Sequence, residues 1–205
     1  MSKNLRVALI VTAVVIFFDQ ALKVWVKTNM ALGEQYRITD WFFIHFVENN
    51  GMAFGMEFAG EWGKLFLSIF RIIAVSGIGW YLYKLSNKVD TPRMLIVCVS
   101  LVFAGAIGNI IDSAFYGMLF EASYGRVAAF LPEAGGYAPF LHGKVVDMFY
   151  FPLFEGNYPN WFPWVGGDRF IFFRPVFNLA DSAITVGIAI ILICQRRLFP
   201  EDKIL

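Results

Sequence analysis

The chain of 205 residues is 58% hydrophobic and 18% aromatic but only 16% charged, against about a quarter charged in an average soluble domain, and its mean hydropathy is +0.60. Too few polar groups remain to cover a water-facing surface, so lipid is the natural solvent. The apolar content excludes disorder, and 17 basic residues against 16 acidic, with no basic block, argue against a nucleic-acid partner.

Four apolar stretches, roughly 6 to 26, 65 to 85, 94 to 116 and 176 to 198, have the ~20 helical residues needed to cross a hydrocarbon core. The first begins after Lys3 and Arg6 and runs from Val7 through Asp19 and Lys23 to Val26 without a small-residue cleavage site, which predicts an uncleaved anchor. Lys3 and Arg6 before span one, Lys84, Lys88 and Arg93 between spans two and three, and Arg196, Arg197 and Lys203 after span four share one side. Basic residues are retained in the cytoplasm, so both termini are expected there. The loops 27–63 and 117–175, where ten acids outnumber Lys27, Arg37, Arg126, Lys144, Arg169 and Arg174, are expected outside. Cys98 and Cys194 fall inside apolar runs and read as packing thiols.

The outer loops carry structure of their own. Residues 36–48 are rich in β-branched and aromatic types and end at Asn49-Asn50-Gly51, a strand followed by a turn. Lys144 to Phe151 and Arg169 to Phe173 read as further strands, and together they predict a small β platform. Tyr158, Trp161 and Trp164 suit the headgroup belt. The expectation is one membrane-embedded domain over 1–205: mainly α, with four transmembrane helices, a small β platform and a long loop on the outer face.

An ionised group in hydrocarbon costs several kcal/mol, so each acid in a span needs a partner or a purpose. Asp19, Asp112 and Asp181 fall, by this topology, in the outer half of the membrane, and Asp147 lies beside them within an apolar strand. Asp19 and Lys23 sit at i and i+4 on one helix face and can pair. Asn109 with Asp112, and Asn178 with Asp181, place an amide one turn from each carboxylate. Interhelical hydrogen bonding is the plainer use of such groups, helped by Ala104, Gly105 and Gly108; two motifs at one depth favour a site.

Ser-His or Cys-His catalysis needs a base near the nucleophile, but His45 and His142 lie in outer loops and both cysteines at the opposite ends of the spans. No His-Glu-x-x-His is present, and no metal site is expected. Two carboxylates sharing a proton can hydrolyse a peptide bond, one taking a proton from water while the other polarises the carbonyl. Proton or cation translocation is the alternative use of buried acids. Against it, Val7 to Phe18 and Ala183 to Cys194 carry no ionisable group apart from Cys194. Which two of the four aspartates would act, the residues alone leave open.

These motifs resemble those of the lipoprotein signal peptidases, the bacterial signal peptidase II family of intramembrane aspartic proteases. The matches occur in chain order: Asp19-x-x-x-Lys23; Asn49-Asn50-Gly51-Met52-Ala53-Phe54-Gly55; Gly108-Asn109-Ile110-Ile111-Asp112; Val145-Val146-Asp147; and Phe177-Asn178-Leu179-Ala180-Asp181-Ser182. The resemblance implies cleavage of diacylglyceryl-modified prolipoproteins on the amino side of the lipidated cysteine, at the outer, periplasmic face of the bacterial inner membrane. It implies Asp147 and Asp181 as the catalytic pair. Asn49, Gly51, Asn109, Asp112, Asn178 and Ala180 match positions that shape the site or bind substrate, and Asp19 with Lys23 a supporting pair. It implies no cofactor; membrane lipid is the expected surrounding partner and the monomer the expected active form. Two departures stand out. Ser113 follows Asp112 where the family commonly has Arg, leaving Arg126 and Lys144 as candidate replacements, and an insertion spans Phe115 to His142, its Gly and Pro content predicting an irregular loop that is either a lid or passive.

Overall fold

A computed structural model describes residues 1–50, 60–172 and 175–199 of the chain. It is a membrane-type, mainly helical fold in which, among the described residues, three helices are long and apolar enough to cross a bilayer. The first, α1 (Lys3–Asn29), is started by Ser2, whose Oγ accepts the Leu5 N–H at 3.0 Å. At ~1.5 Å per residue it is about 40 Å long. Its polarity is reversed relative to a soluble helix. Asp19, Lys23 and Lys27 are among its few buried residues, while Leu9, Ile10, Val14, Phe17 and Phe18 are exposed. That is the pattern of a helix whose outer solvent is hydrocarbon.

The second helix, α2 (Gly60–Asn87), likewise exposes Phe66, Ile69, Phe70 and Ile73 and turns Ser68 and Leu82 inward. The third, α3 (Arg93–Ile111), lies at the centre and packs on α1, α2 and the later α5 (Leu179–Ile193). Glycines allow this approach: a Cβ on Gly105 would stand 2.3 Å from the Ala180 carbonyl oxygen, and one on Gly108 would stand 2.6 Å from Asp19 Oδ2. Beyond Ile111 the helix widens into one π turn (Asp112–Tyr116) and ends in a short α4 (Gly117–Leu119). Such turns gather at functional sites.

The expected fourth span, 176–198, is helical only from Leu179. Val176–Phe177 form a strand, β6, and Asn178 separates strand from helix because its side chain accepts the Asp181 N–H at the helix start. At the other end α5 stops at Cys194, and Gln195–Leu198 form a separate turn of helix, α6.

The β platform is a four-stranded antiparallel sheet ordered β1-β2-β3-β6, with β1 Gln35–Arg37, β2 Phe43–Asn49 and β3 Val145–Tyr150. The single strand expected over 36–48 is two strands, because the Ile38 and Thr39 amides both donate to the Phe42 carbonyl and turn the chain back. A bulge between Ile44 and Val47 resets the register so that Val47 faces Asp147, Glu48 faces Val146 and Asn49 faces Val145. The strand expected at 169–173 is observed as β5 (Arg169–Phe172), paired in a separate ribbon with an unexpected β4 (Phe154–Asn157). Phe154 stacked on Phe172, 4.5 Å between centroids, compensates for the weak strand propensity of Gly156.

Two apolar cores result. Val26, Met30, Phe46, Tyr116, Phe120, Val146 and Met148 join helices to sheet, and Ala8, Leu82, Leu95, Ile96, Val99 and Leu198 close the far end of the bundle.

Candidate active site

The cluster of polar residues lies where α1, α3 and α5 meet the sheet, and it has two levels. In the lower level Lys23, fully buried, bonds Asp19 Oδ2 at 2.9 Å, Asp112 Oδ2 at 2.8 Å and Asn109 Oδ1 at 2.9 Å. The remaining acceptors are occupied. Gln20 Nε2 donates to Asp112 Oδ1 at 2.9 Å, the Val146 amide to Asp112 Oδ2 at 3.2 Å, and the Ala180 amide to Asp19 Oδ1 at 2.9 Å. One lysine between two acids, each with further donors, is how a buried charge group is tolerated. The level also ties three elements together, since Val146 lies on β3 and Ala180 on α5.

The upper level holds Asp147 and Asp181 through amides. Asn178 begins α5 with a capping box, its Oδ1 accepting the Asp181 N–H at 2.9 Å while its own N–H donates to Asp181 Oδ2 at 3.3 Å. Its Nδ2 points the other way and donates to Asp147 Oδ1 at 2.8 Å, with Asn109 Oδ1 at 3.1 Å and the Val146 carbonyl at 3.3 Å nearby. Asn109 Nδ2 donates to Asp181 Oδ1 at 2.8 Å, and Asn49 Nδ2 approaches Asp147 Oδ2 at 3.4 Å. Asn109 therefore serves the carboxylate on the facing helix rather than Asp112, one turn along its own. Helical spacing predicts which residues share a face, but not which neighbour that face meets.

Burial, and then repulsion by Asp181, raises the Asp147 carboxyl to about 7, against the pull of Lys23, Asn49 and Asn178 toward the charged form. Asp147 is 4% exposed; Asp181 is half-buried. A carboxyl that titrates near neutrality, beside a second one held by neutral donors, can share a proton with it and act in general acid/base chemistry.

Of the residues expected at the site, Asp19, Lys23, Asn49, Asn109, Asp112, Asp147, Asn178, Ala180 and Asp181 come together here. Gly51 and the motif residues after it, to Gly55, lie outside the described residues. Arg126 and Lys144 pair elsewhere, with Glu121 at 3.6 Å and with Glu48 at 3.5 Å respectively. Ser113 folds back on its own helix, donating to the Asn109 carbonyl at 3.0 Å.

Three participants escape the sequence reading. Gln20 braces both lower aspartates, and Tyr116 donates to Gln20 Oε1 at 3.2 Å. Arg71 lies on the inward stripe of α2 with Lys64 and Ser68, where it interacts electrostatically with Asp181, Asp147 and Asp112, most strongly with the first. Its signal was available, since a lone arginine inside the apolar span 65–85 asks for a partner as much as an acid does.

The insertion is irregular, as its composition predicts, and is sewn to the end of α3. The Ala138 amide donates to the Gly117 carbonyl at 2.9 Å and the Gly143 amide to the Ser113 carbonyl at 2.8 Å, while Leu32 after α1 donates to the Ser123 carbonyl at 3.1 Å.

Comparison with known proteins places this geometry in context. Residues 11–197 match the family model described as signal peptidase (SPase) II. The chain is 52% identical over 190 residues to a lipoprotein signal peptidase of Porphyromonas gingivalis, covering 93% of this chain and 82% of that one. It is 39% identical over 185 residues to a lipoprotein signal peptidase of Amoebophilus asiaticus, covering 88% and 74%. Among solved structures, a bacterial membrane enzyme determined by the in meso method at 1.9 Å resolution superposes with a TM-score of 0.58 at 26% identity, covering 92% of this chain and 91% of that one.

Proposed function

We propose that this chain, which belongs to the signal peptidase II family, is an aspartic endopeptidase that removes signal peptides from diacylglyceryl-modified prolipoproteins, cutting on the amino side of the lipidated cysteine. Membership makes it a membrane-bound lipoprotein signal peptidase, from a family that processes prolipoproteins. The observation that carries the catalytic reading is Asn178, which donates to Asp147 and is capped reciprocally with Asp181, so that one residue sets the relation between the two carboxyls.

In this mechanism Asp181, in the first turn of α5 and accepting the Asn109 amide, carries the negative charge and takes a proton from water. Asp147 carries the proton and donates it to the scissile carbonyl oxygen as water attacks the carbon. The tetrahedral intermediate then collapses: the carbon–nitrogen bond breaks, the proton held by Asp181 passes to the departing amine, and one hydroxyl proton of the intermediate returns to Asp147 as the acid forms. Asn49, Asn109 and Asn178 hold the pair without neutralising it; Asp19, Lys23 and Asp112 hold the helices that carry it. No metal or organic cofactor takes part.

The reading extends to placement. α5 with α6 supplies a fourth crossing, in a single domain with both termini in the cytoplasm and the aspartates at the periplasmic face of the inner membrane. The basic residues at one end of the bundle support it. So does the contact of the N-terminus with the α2–α3 turn, where Ser2 Oγ donates to the Ser86 carbonyl at 2.6 Å and Leu198 packs in the core cluster that holds Ala8. The acyl chains stay in lipid while the scissile bond is lifted to the water-accessible ends of the helices, and one chain supplies every residue of the cluster, which suits an active monomer. Asp147→Asn and Asp181→Asn are each expected to abolish processing of a diacylglyceryl-modified prolipoprotein in detergent while the protein stays folded. Full turnover by either variant would refute the pair.

A further inference from the structure

Four residues beyond Lys23 on the same face of α1, a second lysine is buried for which the mechanism has no use. Lys27 is fully buried. Its ammonium is paired with Glu48, accepts no water-facing role, and donates to Ser123 Oγ at 2.9 Å. Three rings surround it, Phe46, Phe120 and Tyr137, with centroids 5.7, 5.6 and 5.0 Å away. An aromatic box closed by a carboxylate and a hydroxyl suits a cation.

The contacts of this box lead to Asp147 by two routes. Glu48 and Phe46 occupy one face of β2, while Asn49 and Val47, on the other, lie against Asp147. Fixing Glu48 to α1 therefore fixes the height at which Asn49 meets Asp147. The second route runs through Tyr137, whose hydroxyl accepts the Lys144 amide at 2.7 Å, the residue from which β3 starts toward Asp147. Burial holds that phenol well above its usual range, so the hydroxyl stays neutral. Ser123, Phe120 and Tyr137 all belong to the segment that follows α3, so the same box anchors the insertion.

We propose that Lys27 is a positioning residue for Asp147, holding β2 directly and β3 through Tyr137 so that the carboxyl meets Asn49 and Asn178. The inference rests on Asp147 being one of the catalytic pair. Lys27→Met alone leaves the buried Glu48 carboxylate with only the longer contact to Lys144, at 3.5 Å, and the Ser123 hydroxyl, so the informative variant is Lys27→Met/Glu48→Gln, in which neither partner keeps a charge. With the full-length enzyme in detergent and a diacylglyceryl-modified prolipoprotein, kcat is expected to fall about 10- to 100-fold, with KM unchanged, at a temperature well below the melting transition. Tyr137→Phe removes only the hydroxyl and is expected to lower kcat about 2- to 10-fold, again with KM unchanged. Wild-type kcat in Tyr137→Phe, or in the folded double variant, overturns the proposal, as does a change confined to KM. Asp147→Asn is run alongside: turnover by that variant would overturn the catalytic reading itself, whereas an inactive Asp147→Asn with fully active box variants overturns only the role of Lys27.

Discussion

If Asp147 is kept protonated by its surroundings, its presence costs stability at neutral pH, and Asp147→Asn recovers it. The native carboxyl titrates at about 7, against 3.8 for the unperturbed group. Between those values the native state binds the proton more tightly than the unfolded chain does, so stability falls as pH rises through this window and is constant on either side. About three pH units at 1.36 kcal/mol each gives a penalty of about 4 kcal/mol above pH 7. Asparagine has no such penalty, but its amide replaces one carboxylate oxygen and loses one of the donors now facing it. The weaker is Asn49 at 3.4 Å, worth about 1 kcal/mol. Asp147→Asn should therefore be about 3 kcal/mol more stable than the parent at pH 8 and about 1 kcal/mol less stable at pH 4. On the scale of soluble chains of this size the pH 8 difference is about 6–12 °C in Tm. Thermal unfolding in detergent micelles, followed by tryptophan fluorescence from pH 4 to 8, reads it directly. Melting curves that stay parallel across that range would refute the argument, because they would mean Asp147 does not titrate there in the native state.

Arg71→Gln removes the guanidinium that faces Asp181 and Asp147, so the shared proton is held more tightly; the acid limb of log kcat/KM against pH should move up by about one unit, and coincident profiles would exclude a role for Arg71 in the field of the pair. Gly105→Ala drives a methyl into the Ala180 carbonyl, 2.3 Å from the new Cβ, and should cost about 1–3 kcal/mol by separating α3 from α5. Gly77→Ala, with nothing within 4 Å of its Cβ, is the control and should be neutral or slightly stabilising; equal melting temperatures for the two would remove the close-packing argument.

What was legible in the sequence was whatever a single element determines. The apolar lengths located α1, α2 and α3 to within a few residues, and the scarcity of charge made Asp19, Asp112 and Asp181 conspicuous. What could not be read was partnership between elements. Asn109 lies one turn from Asp112 yet holds Asp181, because Gly105 and Gly108 bring α5 and α1 closer than any side-chain pattern announces. Lys23 reads as the partner of Asp19 alone but bridges to Asp112 across helices. β4 contains Glu155-Gly156-Asn157, poor strand formers that pair only because β5 faces them with stacking rings. Arg71 is the different case: its position in an apolar span is itself the clue to a partner inside the bundle.

The reversed polarity of α1 bears on how the protein is made. Asp19, Lys23 and Lys27 are each costly to move into hydrocarbon as the helix leaves the ribosome, up to about 2.5–3.5 kcal/mol apiece at mid-bilayer and less toward the ends, and two of the residues that later accept the Lys23 ammonium, Asn109 and Asp112, are synthesised some ninety residues afterwards. Until then the i, i+4 pairing of Asp19 with Lys23 and the long apolar run from Val7 to Phe18 must keep the helix in place. The arrival of α3 completes the charge group around Lys23, so the contacts that secure the first helix are in place before β3 and α5, which bear Asp147 and Asp181, are made.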